Sequence, residues 1–240
     1  MIRRLGVIGD LHGEHERLAR VLEWFSGQQL DALVCTGDVA DGRGCINESC
    51  HLLQQANVAT VSGNHDRWLL EDRVRHVADA HSIDEVSEDN LAFLKSLPRS
   101  RSFETSHGSL LLCHGVADND LGKVWPGTSR SRVERSDDLD DLIAAGRHRF
   151  LVNGHLHYRV LIDFHDLLLL NAGTLKGQYS GITIMDFEAD AVTAYEVADA
   201  GPPQRVREHA MLDSSPRRRF RNTAEFDGGW EPVTLYRQAI

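Results

Sequence analysis

The sequence predicts an α/β fold, parallel at its start and antiparallel at its end, on three observations. The first third alternates short apolar runs with amphipathic ones in the order βαβαβ, which requires parallel strands joined by right-handed crossovers. Each of those apolar runs ends in a glycine-bordered polar cluster: Gly9-Asp10-Leu11-His12-Gly13, then Gly37-Asp38-Val39-Ala40-Asp41-Gly42, then Gly63-Asn64-His65-Asp66. After residue 157 the strand-like segments become closely spaced and divided by turn residues, as antiparallel hairpins require.

In chain order, Leu5, Val7 and Ile8 mark a first strand. Leu18, Val21, Leu22 and Phe25 recur at helical spacing and mark an amphipathic helix. Residues 31–36 are a buried strand, 45–55 a helix and 58–61 a third strand. Residues 66–97 read as helical in two or three pieces. The last piece starts at Ser87, carries Leu91, Phe93, Leu94 and Leu97, and is stopped by Pro98. A strand over 110–113 ends in His114-Gly115, and a polar Ser/Arg-rich surface loop spans 118–136. A short helix over 137–145 precedes a strand over 150–152 that ends in Asn153-Gly154-His155-Leu156-His157. Further strands are expected at 158–163, 167–171, 180–187 and 192–197.

Residues 1–198 read as one domain and 199–240 as a C-terminal extension. Gly201-Pro202-Pro203 and Ser214-Ser215-Pro216 break regular structure there. The cluster Arg217, Arg218, Arg219 and Arg221 reads as a solvated arm, or alternatively as a contact for an acidic substrate or partner subunit. Phe226, Trp230 and Tyr236 carry too much aromatic surface to stay free, so the extension is expected to dock on the domain or on a neighbouring subunit.

The 240 residues are 41% hydrophobic and 26% charged, ordinary for a globular chain. A formal net charge of −10 repels phosphate polymers, which disfavours long duplex nucleic acid as a partner. The spacing of Cys35, Cys45, Cys50 and Cys113 matches no zinc-ribbon or redox pattern. Cys35 and Cys113 lie in apolar runs and read as buried thiols; Cys45 and Cys50 read as reduced thiols. No apolar run approaches membrane-spanning length, and the N-terminus enters a strand at once, leaving no room for a signal peptide. A cytoplasmic protein without a membrane partner is expected.

Ligands of open α/β sheets bind beyond the carboxyl ends of the strands. Those ends here deliver Asp10, His12, Asp38, Asp41, Asn64, His65, Asp66, His114, His155 and His157. Charges gathered at a sheet edge are costly unless paired or metal-bound. Seven candidate ligands are too many for one cation and suit two. A shared carboxylate lets two cations lie about 3.5–4 Å apart, where a bridging water becomes a nucleophile near neutral pH and a phosphoryl group is polarised for in-line attack. The absence of Cys argues against a structural zinc site and for Mn, Fe or Zn in an open catalytic one.

These five motifs, in this order, resemble the motif set of the calcineurin-like metallophosphoesterases, the dinuclear metallophosphatases. The match spans residues 9–157; residues 158–197 fit the family's second sheet, and 199–240 lie outside it. The resemblance implies a four-layer α/β/β/α sandwich of two mixed β-sheets flanked by helices, the second sheet being the antiparallel set after His157. It implies that Asp10, His12 and His157 bind one metal, that Asn64, His114 and His155 bind the other, and that Asp38 bridges them. His65 would be the general acid at the leaving-group oxygen, oriented and charged by Asp41. Asp66 would cap the following helix, with support of the ligands from behind as the alternative. Two divalent ions are implied, Mn favoured over Fe or Zn.

The protein Ser/Thr phosphatase branch has an Arg directly after the second Asp of its second motif. Here that place is Gly42, and Arg43 comes next. Arg43 could reach a substrate phosphate or be an exposed first-turn residue; Arg67 could clamp phosphate or lie on a helix surface. Arg130, Arg132 and Arg135 belong to a loop that lies near the cleft in this fold, where they could bind an extended phosphorylated substrate. His15, His51, His76, His81, His107, His148, His165 and His209 end no motif and are read as structural or surface residues. Asp118, Asn119 and Asp120 read as loop caps.

A phosphodiesterase branch of the family carries Cys in place of the histidine that matches His65. Its retention here favours hydrolysis of phosphate monoesters, on a small molecule, nucleotide or phosphoprotein. The compact frame and early motifs resemble the bacterial protein-phosphatase and diadenosine-tetraphosphatase neighbourhood. The alternatives are a phosphodiesterase or nuclease acting on nucleotides or nucleic acid ends, and, more remotely, a non-catalytic metal-binding scaffold.

Overall fold

A computed structural model describes residues 1–73, 75–213 and 217–237. β1 (Arg4–Ile8), α1 (His15–Ser26), β2 (Ala32–Cys35), α2 (Ile46–Gln55) and β3 (Ala59–Thr60) form the expected βαβαβ unit with three parallel strands. α1 forms because Leu18, Val21 and Phe25 share one face, and all three are buried. α3 (Asn64–Leu70) begins at once after the third polar cluster. α4 (Glu88–Ser96) is capped by the Ser87 hydroxyl, which accepts from the Asn90 N–H, and it ends before Pro98. Between them lies one short 3-10 turn, Ile83–Glu85, so the stretch over 66–97 is helical in separate pieces, as expected. Asp72 has φ +50°, which stops the α-helical run there.

The remaining elements are β4 (Ser100–Thr105), β5 (Gly108–Cys113), α5 (Asp137–Ala145), β6 (Phe150–Asn153), β7 (Arg159–Phe164), β8 (Leu168–Ala172), β9 (Gly181–Asp186), β10 (Ala191–Glu196), β11 (Gln204–Ala210), β12 (Arg219–Phe220) and β13 (Val233–Thr234). α5 is capped by Ser136 at its start, carries Asp137, Asp138 and Asp140 in its first turn, and closes on Gly146 at φ +60°.

Two mixed sheets result. One has the order β11-β10-β9-β1-β2-β3; the other has the order β12-β7-β8-β6-β5-β4, with β13 also on β7. This corrects the expected partition, in which every strand after His157 joined the second sheet. β7 and β8 do form the expected hairpin there, but β8 also pairs with β6, so both its edges are filled. The chain therefore crosses back, and β9 pairs antiparallel with β1.

Alternation along each strand sorts the core into layers. Leu5 and Val7, with Leu110, Leu112, Phe150, Val152, Leu161, Leu170, Met185 and Phe187, fill the space between the sheets. Ile8, Cys35, Ile182 and Ile184 face the other way, against Leu18, Phe25, Ile46, Leu53 and Leu94 of the helices. On the far side of the second sheet, Leu111, Leu151, Val160, Ile162 and Phe164 pack under Leu139 of α5 and under Phe220, Phe226 and Trp230. Helices, sheet, sheet, then helix plus C-terminal segment make the four layers.

The segment after residue 198 is built into both sheets through β11, β12 and β13. Gly201-Pro202-Pro203 breaks β10 from β11 as expected, whereas Ser214-Ser215-Pro216 lies outside the described residues. The reading of the arginine cluster as a solvated arm is corrected at Arg217, whose side chain is 9% exposed and grips Asp163 through Nε and Nη2 at 2.7 and 3.0 Å; Arg218, Arg219 and Arg221 are exposed, Arg218 pairing with Asp227 and Arg221 with Glu225. The thiols of Cys35, Cys50 and Cys113 are buried and free, and Cys45 is exposed and free.

Candidate metal centre

The polar clusters after β1, β2, β3, β5 and β6 meet at one edge of the sandwich. The backbone there is bent sharply. His12, Asp38, Asp41, His155 and His157 all have positive φ, between +45° and +67°. L-residues adopt that region at a penalty, and such outliers gather at functional sites. The bends let the loops after the strands aim side chains at a common point.

Glycine is required where the loops touch. A Cβ on Gly63 would lie 2.1 Å from Asp38 Oδ1, and one on Gly154 would lie 2.0 Å from Asp10 Oδ1. The two glycines make room for the two carboxylates.

Asp10, His12, Asp38 and His157 present ligand atoms within 4.8 Å of one another. His12 Nε2 lies 3.0 Å from His157 Nε2, and His157 Nε2 lies 3.3 Å from Asp10 Oδ2. The neighbouring set centres on His114, whose Nε2 lies 2.9 Å from Asn64 Oδ1; the His155 ring packs edge-on to His114 at 5.3 Å. Asp38 Oδ2 stands between the sets, 3.7 Å from His12 Nε2 and 3.4 Å from His114 Nε2. All seven expected ligands are thus brought together in two groups that share Asp38.

Supporting bonds fix how these groups face. His12 Nδ1 lies 3.0 and 3.1 Å from the carbonyls of Asp41 and Ala40, and His114 Nδ1 lies 2.9 Å from the Thr36 carbonyl. A carbonyl only accepts, so each Nδ1 carries the hydrogen and each Nε2 offers a lone pair. Asp10 accepts from the Thr36 hydroxyl at 2.7 Å and from the His155 N–H at 2.7 Å. Asp66 is buried and accepts from the N–H groups of Gly63 and Ala40, so it caps α3 and ties the second and third clusters together.

The donor set fits divalent cations. His155 Nε2 is buried with no partner, and two imidazole nitrogens face each other across 3.0 Å. Burial, then the neighbouring charge of Asp38, holds the Asp10 pKa well above the carboxylate range. Burial pushes Asp38 up to about 7 and Asp66 up to about 6. Burial, then mutual proximity, drives His12 down to about 3, and burial drives His114, His155 and His157 down to about 4. Neutral imidazoles beside carboxylates that lack compensating charge form an environment that positive charge relieves.

Beside the ligands stands a hydrogen-bonded dyad. His65 Nδ1 meets Asp41 Oδ2 at 2.7 Å, and the His65 N–H donates to Asp38 Oδ1 at 2.8 Å. Burial pulls the His65 pKa down, but the bond to Asp41 and the charges of Asp38 and Asp41 outweigh it, leaving the pKa above its ordinary value. Asp41 is itself held ionised: burial raises its pKa, but His65, the His81 N–H and Arg75 together bring it below the ordinary value.

His81 and Arg75 were not found from sequence. His81 donates its N–H to Asp41 Oδ1 at 3.0 Å and accepts the Asp41 N–H on Nδ1 at 2.9 Å. Arg75 Nε lies 2.8 Å from Asp41 Oδ2. Both come from the irregular stretch after α3, which has no periodicity to place it. Thr36, directly before Gly37-Asp38, and Lys176, whose Nζ lies 3.5 Å from the Asp41 carbonyl, were also missed.

The arginines expected to bind substrate are dispersed. Arg43 is 87% exposed and lies 3.7 Å from Asp79. Arg67 forms a two-point pair with Asp120 at 2.6 and 3.0 Å, which corrects the reading of Asp120 as a simple loop cap. Arg130 and Arg132 are exposed, and among the described residues neither has a carboxylate within 4 Å. Arg135 instead donates to the carbonyls of Thr223 and Phe226 and so anchors the C-terminal segment.

Comparison with known proteins agrees with this frame. The family model described as the calcineurin-like phosphoesterase superfamily domain matches residues 4–190. An uncharacterized protein of Methanocaldococcus jannaschii is 25% identical over 192 residues, covering 74% of this chain and 78% of its own. A phosphodiesterase of the same organism is 22% identical over 181 residues, covering 75% of this chain and 88% of its own. Among solved structures, a metallophosphoesterase from Sphaerobacter thermophilus superposes with a TM-score of 0.60 at 19% identity, covering 87% of this chain and 90% of that one. The chain belongs to the calcineurin-like phosphoesterase superfamily.

Proposed function

We propose that the protein is a metal-dependent hydrolase of phosphate monoesters. The observation that carries this reading is the His65–Asp41 pair set against the Asp10, His12, Asp38 and His157 cluster, with His114, Asn64 and His155 beside it. Asp10, His12 and His157 would hold one divalent ion, and Asn64, His114 and His155 the other, with Asp38 common to both. When bound, the two ions supply a hydroxide nucleophile near neutral pH and polarise the phosphoryl oxygens.

The chain's own residues do the rest. Asp41 accepts from Nδ1–H of His65, which leaves Nε2 to carry the mobile proton. The His65 N–H on Asp38 Oδ1 fixes that ring relative to the ligands. His65 then protonates the departing ester oxygen, a role that general acids fill for about 10²–10⁴-fold in rate. A leaving group of high pKa needs that proton most, so alkyl monoesters are the substrates on which His65 matters most.

The diester reading has one specific support, the M. jannaschii relative named a phosphodiesterase. The test is hydrolysis of an aryl phosphate monoester and the matching bis-aryl diester, with Mn²⁺ and after chelation. Metal-dependent preference for the monoester is expected. Preference for the diester would transfer the assignment to phosphodiesterase, and no metal-dependent turnover of either would leave a metal-binding scaffold.

A further inference from the structure

A pocket of about 310 Å³ opens beside the dyad, lined by His65, Trp68, Arg73, Arg75, His76 and Val77. His65 lines this pocket and, through its backbone N–H on Asp38, also borders the candidate ligand cluster. Its Nδ1 is taken by Asp41, so the proton it transfers leaves from the other nitrogen. A leaving group protonated there lies next to Trp68, whose ring meets the His65 ring edge-on at 5.0 Å.

The walls are held in place rather than loosely draped. Arg75 Nη1 donates to the carbonyls of Trp68 and Arg73 at 3.1 and 2.7 Å, while its Nε sits on Asp41. Arg67, clamped by Asp120, places its guanidinium over the Trp68 ring at 5.9 Å from the centroid. An exposed apolar residue, Val77, lines the same pocket. Arg73, 58% exposed and paired with Glu71 at 2.6 Å, and His76 complete the lining. A half-buried indole, an exposed aliphatic side chain and basic groups suit a flat aromatic ring with an anion near it, in a volume at the lower end for small-molecule sites.

We infer that this pocket is the leaving-group subsite and that it takes a nucleoside, the base stacked on Trp68, which makes nucleotides the substrate class. The inference rests on the phosphoesterase reading above for its catalytic consequence, but binding of the nucleoside does not depend on it. A phenol attached directly to the phosphate would use only part of the volume.

The test has two arms. With Mn²⁺-loaded enzyme, kcat/KM is measured for AMP and for glycerol phosphate in wild type, Trp68→Ala and Trp68→Phe. Base–aromatic stacking predicts that Trp68→Ala lowers the AMP-to-glycerol-phosphate ratio by roughly 5- to 100-fold and that Trp68→Phe restores most of it. An unchanged ratio overturns the inference. Without metal, adenosine binding is measured by NMR titration of the chelated protein. Binding to wild type and Trp68→Phe but not to Trp68→Ala is expected, and equal binding, or none to wild type, overturns the subsite. If neither ester is hydrolysed, the phosphoesterase reading fails and the adenosine titration alone decides the subsite. Val77→Glu changes an exposed position and is expected to lower the same ratio, so the test survives if Trp68→Ala does not fold.

Discussion

Asp41 accepts from His65 and is gripped by Arg75 and the His81 N–H, so one buried carboxylate sets the proton affinity of the dyad. Its negative charge is among the influences that hold the His65 pKa above the ordinary value. Asp41→Asn removes that charge, so the His65 pKa falls and the acid form is lost at lower pH. The basic limb of the kcat/KM profile is therefore expected to move to lower pH, and an unmoved limb would contradict the dyad's role. Thr36 acts differently, by donating to Asp10 at 2.7 Å. Thr36→Val keeps the shape and deletes the bond, and is expected to weaken Mn²⁺ binding by about 10–100-fold in calorimetry. Six of the seven candidate ligands were legible in the sequence because each sits next to a glycine at a strand end, and His157 follows two residues after the sixth. Thr36 is one residue outside its motif, and Arg75 and His81 reach Asp41 from a segment with no regular structure. Their roles exist only in three dimensions.

Strands buried on both faces, such as β7 and β8, were legible as continuous apolar runs. The polar edge strands β4 and β11 were not. β4 (Ser-Arg-Ser-Phe-Glu-Thr) and β11 (Gln-Arg-Val-Arg-Glu-His-Ala) are largely polar because one side of each meets water. The sheet partition was misread for a topological reason: spacing in sequence identifies hairpins but not a chain that crosses between sheets. The C-terminal segment shows the same limit, since its arginines read as a charge run while one of them is buried. Arg217 and Asp163 are 9% and 6% exposed at their side chains. Removing one partner of a buried pair leaves the other uncompensated and costs about 3–5 kcal/mol. Arg217→Ala is therefore expected to lower unfolding free energy in urea by about that amount. Exposed Arg219, whose side chain donates to the His165 carbonyl, is expected to change it by about 0.5 kcal/mol or less when replaced by Ala. Equal effects would contradict the assignment of Arg217 as a tie between the sheet and the C-terminal segment.

For the molecule as a whole, the sandwich concentrates uncompensated carboxylates at one edge, and that couples metal, proton and fold. Folded Asp38 takes up its proton near pH 7, whereas the ordinary carboxylate does so near 3.8. Between those values the folded chain holds the extra proton, so this group's contribution to metal-free stability falls as pH rises through that window. His12, His114, His155 and His157 act oppositely: pushed down to about 3–4 from 6.5, they contribute instability that grows as pH falls below 6.5. A bound cation must displace the Asp38 proton, so the gain in Tm on adding Mn²⁺ is expected to be larger at pH 8 than at pH 6. An equal gain at both would contradict Asp38 as a ligand.

The central claim is that metal holding and proton delivery are done by separate residues at one edge of the fold. The most direct measurement is metal content by mass spectrometry together with turnover of an alkyl phosphate monoester, in wild type and His65→Ala. The account predicts two ions per chain in both proteins and turnover lower by about 10²–10⁴-fold in the variant. Full turnover in the variant, or loss of the ions along with the activity, would contradict it.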